Sequence, residues 1–101
     1  MSRVVVALIA DLMDRSRLIA EPGVEVRFVE PAGIGDAGGA DLIVVDLGGR
    51  GHLDALAHCP AGVPVVAFGP HVDRELLAAA EAAGCDRVLP RSKFFQLWPD
   101  V

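Results

Sequence analysis

Three short stretches consist almost wholly of aliphatic side chains: Val4-Val5-Val6-Ala7-Leu8-Ile9-Ala10, Leu42-Ile43-Val44-Val45 and Val63-Pro64-Val65-Val66-Ala67-Phe68. Such a run has no polar face. It fits a strand covered on both sides, as the inner strands of a parallel sheet are. Val24-Glu25-Val26-Arg27-Phe28-Val29 alternates instead, which predicts a half-exposed strand near a sheet edge. Arg87-Val88-Leu89 is a shorter fifth candidate. The segments between them are helix-like. Strands separated in this way imply right-handed crossovers and an α/β fold built on a parallel sheet.

The helical segments are short. Asp14 is predicted to cap a helix over about 15–20, with Met13 and Leu18 spaced as a hydrophobic staple, and Pro22-Gly23 ends it. A second helix is expected over about 51–58, closing before Cys59-Pro60. The clearest runs from Asp73, as cap, to Ala83. There Leu76, Leu77, Ala80 and Ala83 share the inward face and Gly84 stops the helix. Glu30 to Ala40 is rich in glycine, contains a proline and has no apolar period, so it is expected to be a loop. With no internal repeat and no break in composition, residues 1–101 are expected to form one domain.

A chain of 101 residues buries only about 60–65% of the surface of its unfolded form, so its core must be efficient. At 52% hydrophobic residues it has the material for a packed globule. With 5% aromatic residues and no tyrosine, that core must be aliphatic. The net charge is −5, and the nine Lys and Arg are scattered from Arg3 to Lys93, which excludes a clustered phosphate-binding face and with it nucleic acid as partner. No apolar run approaches the length needed to cross a bilayer, and none has the form of a signal peptide, so neither a membrane nor export is expected. Cys59 and Cys85 match no metal or redox spacing and are expected as reduced thiols. The expected location is the cytoplasm.

In open α/β sheets, ligands bind beyond the carboxyl ends of the strands, near a switch in strand order. Asp11 follows the first strand and Asp46 ends the third. Gly69-Pro70-His71 follows the fourth and Pro90-Arg91-Ser92-Lys93 the fifth. All four positions fall on one edge if the strand order is 2-1-3-4-5. Two carboxylates there suit a hard cation such as Mg²⁺, making Asp11 and Asp46 candidate metal ligands.

The Asp11 turn after "RVVVALIAD", Asp46 ending "ADLIVVD", and the run "VPVVAFGPHVDRELLAAAEAAGCDRVL" resemble the receiver domain of bacterial response regulators, over nearly the whole chain. The resemblance implies a CheY-like, flavodoxin-like three-layer fold with a five-stranded parallel sheet in the order 2-1-3-4-5. It implies that Asp46 is a candidate phosphoacceptor, that Asp11 is the second acid of a Mg²⁺-binding pair, and that Arg91 and Lys93 are candidate anion contacts. The pattern departs from the family at several points. Ala10 stands where the first acid belongs, Gly69 where a Ser or Thr ends strand four, and Pro90-Arg91 where Lys-Pro follows strand five. Helix one is shortened, helix two is missing, and only Phe94 to Val101 remains for a fifth helix.

Phosphoryl transfer rests on positioning and charge neutralisation, so these losses together should disable it. The expectation is a degenerate, non-enzymatic receiver-like module that acts through a protein partner or as a homodimer. The alternatives are a working phosphoacceptor at Asp46 with Mg²⁺, or a small enzyme or ligand-binding domain at the strand edge. Asp11 and Asp46 also have plainer readings, as a helix cap and a turn residue. Gly48-Gly49-Arg50-Gly51 matches no phosphate-binding motif and is expected to be a turn. His52 and His71 fall on the same edge without ligand spacing, and Ser92 sits in no nucleophile elbow. Phe94, Phe95, Leu97 and Trp98 form either a partner-binding patch or a tail docked over the sheet.

Overall fold

The computed structural model describes residues 3–70 and 73–101. The order of elements is β1 (Arg3–Leu8), α1 (Leu12–Ile19), β2 (Val24–Phe28), a 3₁₀ turn (Pro31–Asp36), β3 (Leu42–Asp46) and α2 (His52–Ala55), which runs into a second 3₁₀ turn (Leu56–His58). Then follow β4 (Val65–Gly69), α3 (Arg74–Ala82), β5 (Arg87–Pro90) and α4 (Arg91–Leu97). All adjacent strands are parallel, in the order β2-β1-β3-β4-β5, as the sequence led us to expect. Among the described residues no helix is long and apolar enough to cross a membrane.

The unbroken apolar runs supply both faces of the sheet. From β1 and its extension, Val5, Ala7 and Ile9 join Val44, Val66, Phe68 and Leu89 beneath α1 and α4. Val6 and Leu8 join Ile43, Val45, Val65 and Ala67 beneath the 3₁₀ turns, α2 and α3. A pleat with period two divides each run in this way. The edge strand β2 is different. Val24, Val26 and Phe28 pack toward the α1 side, while Glu25 and Arg27 alternate with them and form an exposed ion pair at 2.7 Å.

Two aspartates tie the amino ends of the central strands. Asp41, just before β3, accepts a hydrogen bond from the backbone N–H of Val4 at 2.7 Å. Asp86, just before β5, does the same for Val65 in β4, also at 2.7 Å. Each satisfies an N–H that the neighbouring strand leaves unpaired.

Two local expectations need correction. Asp14 does not cap α1. Asp11 does, with extended backbone and an Oδ1 that accepts from Met13 N (2.9 Å) and Asp14 N (3.0 Å), so the helix starts at Leu12. The stretch after β2 is no open loop, because Pro31 opens a 3₁₀ turn that drives Ile34 fully into the core. The segment after β5 is helical from Arg91, so the aromatic residues lie on a helix.

Candidate functional site

The carboxyl ends of β1, β3, β4 and β5 surround a cavity of about 440 Å³. Ala10, Asp11, Asp14, Asp46, Gly48 and Gly49 line it together with Pro70 and Arg91, and it is open to solvent. The sheet register sets this gathering: Leu8 lies beside Val45, Asp46 beside Phe68, and Gly69 beside Pro90. Asp11, Asp46 and Arg91 therefore come together as expected. Lys93 is exposed on α4 and is not among the lining residues, and His71 lies outside the described residues.

Asp14 is the lining residue that sequence reasoning misplaced. It projects from α1, is only 3% exposed, and is gripped by Arg91. Arg91 Nε donates to Asp14 Oδ2 at 3.1 Å, and Nη2 donates to Oδ1. Two parallel bonds from a planar fork are the strongest pairing an arginine makes. The hydrogen bonds to Asp14 raise the Arg91 pKa above its ordinary value. Burial opposes the rise, and the charges of Asp14, Asp11 and Asp46 add to it. The signal for this pairing was an Asp at the fourth position after the end of the β1 run, one helical turn from its cap. An acid there points back toward the strand edge.

The loop after β3 is a tight turn folded onto Asp46. Gly48 N donates to Asp46 Oδ1 at 2.9 Å and Gly49 N to the Asp46 carbonyl at 3.3 Å, so both N–H groups are taken up within the turn rather than offered to a bound anion. His52 is buried, with Nδ1 2.5 Å from the Asp46 carbonyl oxygen, and its ring lies against Gly49 closely enough that a Cβ there would overlap it. His52 braces the turn. Among the described residues no three His, Cys, Asp or Glu side chains gather as a metal-ligating group.

Phe94 cannot meet a partner. It is fully buried, stacked on Phe68 at 4.6 Å and flanked by Phe95 and Trp98 at 5.0 and 5.9 Å. Phe95, Leu97 and Trp98 are partly buried against the same cluster, so the segment docks over the sheet. Among the described residues, the large apolar side chains left exposed lie elsewhere, on α1: Leu12 (74%), Met13 (77%) and Ile19 (57%). With Asp11 as cap, they fall outside the face that carries Leu18 into the core.

No protein-family model matches the sequence, and no curated protein matches it. Solved structures do. A response regulator from Thermotoga maritima superposes with a TM-score of 0.77 at 14% identity, over 99% of this chain and 93% of that one. A CheY-like response regulator from Mesorhizobium loti gives 0.65 at 18% identity, over 95% and 92%. A LuxR family DNA-binding response regulator from Silicibacter pomeroyi gives 0.70 at 23% identity, over 96% and 84%. The fold is CheY-like. On the CheY-like frame, the cavity of Asp11, Asp14, Asp46 and Arg91 occupies the carboxyl edge of the sheet, and the Pro31–Asp36 turn lies in the stretch between β2 and β3 where the sequence pointed to a missing second helix.

Proposed function

We propose that residues 1–101 form a receiver-like signalling module, read by a protein partner or a second copy of itself, in which Asp46 is not the trigger of a phosphorylation switch. The composition of the cavity wall carries this reading. Among the described lining residues there is no hydroxyl side chain and no lysine; Ala10 and Pro70 fill positions where polar groups would help a phosphoryl group. Asp11 spends one oxygen on two helix N–H groups, and Asp46 spends one on Gly48. Phosphoryl transfer needs several cationic and polar groups aimed at one developing charge. The module has no catalytic role of its own, and the exposed Leu12, Met13 and Ile19 support contact with a protein.

The test is to incubate the protein with acetyl phosphate and Mg²⁺ and follow intact mass. No phosphoryl adduct is expected. A base-labile adduct that disappears in Asp46→Asn would overturn the reading in favour of a working phosphoacceptor. Mg²⁺ titration in a calorimeter addresses the ligand-binding alternative, for which heat lost in both Asp11→Asn and Asp46→Asn would be the signature.

A further inference from the structure

The cavity holds three carboxylates, and like charges facing one space disfavour each other unless a cation joins them. We propose that Arg91 is the resident cation of this cavity: paired with Asp14, its guanidinium supplies from within the chain the positive charge that an added ion would otherwise bring beside Asp11 and Asp46. The proposal rests on the reading of a site that does not run phosphorylation chemistry, and it names what occupies that site instead.

Three observations point to this role. Asp14 is 3% exposed, so its charge must be neutralised inside the protein, and both its oxygens are taken by the Arg91 fork. The guanidinium keeps its charge at any physiological pH. Arg91 is also held in place before any ligand arrives. It begins α4 directly after Pro90, whose strand position is fixed beside Gly69, and its guanidinium carbon lies 5.2 Å from the centre of the Phe95 ring. Both of its hydrogen bonds go to Asp14, and Asp11 and Asp46 line the same cavity.

Removing Arg91 should therefore leave a vacancy with the shape and charge of a guanidinium ion. Thermal unfolding followed by circular dichroism tests this on the full chain, with millimolar methylguanidinium as probe and methylammonium and Mg²⁺ as comparisons. Arg91→Ala is expected to melt several degrees below wild type and to regain part of that loss with methylguanidinium, more than with methylammonium. Wild type should gain nothing from any of the three. If Arg91→Ala is indifferent to methylguanidinium, or if wild type is stabilised as much as the variant, the proposal is overturned. A double variant guards against a single variant that does not fold. Asp14→Asn with Arg91→Ala removes the buried charge together with its partner, and should be more stable than Arg91→Ala alone. Equal or lower stability of the double variant overturns the proposal. An Asp46 adduct from acetyl phosphate would refute the underlying reading while leaving these melting results unchanged, so the two failures are distinguishable.

Discussion

His52 and Gly49 show how one turn depends on a missing side chain. The imidazole fills the space where a Cβ at position 49 would sit, and its Nδ1–H donates to the carbonyl of Asp46. Gly49→Ala must displace the ring or the loop, and either break loosens Asp46. We expect it to lower stability by about 1–3 kcal/mol, the usual penalty for overpacking a close contact. The measurement is a urea midpoint, compared with Gly48→Ala. A Cβ at position 48 meets Asp46 Oδ1 at 3.3 Å and Pro70 at 3.6 Å, so that change should be milder. A Gly49→Ala variant as stable as wild type would remove His52 as the brace. Neither partner advertises this in the sequence. A glycine pair after a strand reads as a turn, and only the folded loop shows which one is pressed by a ring.

The helices divide into one that is buried by its partners and one that is left partly bare. α4 buries Phe94 completely between Phe68, Phe95 and Trp98, whereas α1 buries Leu18 and exposes Leu12, Met13 and Ile19. Phe94→Ala is expected to destabilise the protein by about 3–5 kcal/mol, because the truncation leaves a cavity in an aromatic cluster. Leu12→Ser and Met13→Ser should stay within about 0.5 kcal/mol of wild type, as surface changes do. If the wild type associates in sedimentation, these two serine variants are the ones expected to weaken it. Equal destabilisation by Phe94→Ala and Met13→Ser in denaturant would contradict the assignment of core and surface. The strands were legible because a run such as Leu42–Val45 admits few other fates. α4 was not, because its buried face is a single Phe and its start is a proline-arginine step that also reads as a loop. Asp14 was misplaced for a related reason. Its partner lies 77 residues away, and the Asp11 cap that sets its orientation competes with Asp14 itself as a cap in the sequence.

Across the whole fold, the two thiols add a pH dependence. Burial is the main cause that raises Cys59, with the nearby Cys85 charge adding to it. Burial also leads for Cys85, against hydrogen bonds to the Arg87 and Ala67 backbone that lower it, while Asp86 and Glu81 raise it further. A folded-state pKa above the ordinary value of 9.0 means that the native protein keeps protons which the unfolded chain releases. Stability from this source is complete below the ordinary thiol value and is lost as pH rises from there through the raised folded-state values. The urea midpoint should therefore fall as pH rises above about 9, and Cys85→Ala should flatten that slope. An unchanged slope in the variant would mean that another group governs the alkaline loss. The parallel sheet and its strand order followed from the apolar runs and the resemblance they carry. The Asp14–Arg91 ion pair did not, since it depends on how α1 and α4 meet on one face of the sheet.

The exposed Glu25–Arg27 pair on β2 bears on how the protein behaves at high concentration. β2 is an edge strand, and an open edge invites another strand to add to it. Any chain extending the sheet there, followed by a second layer, would have to strip water from a carboxylate and a guanidinium on the same face. The two charges act as a terminator on layered sheet growth at this edge, so ordered stacking that starts from β2 is disfavoured.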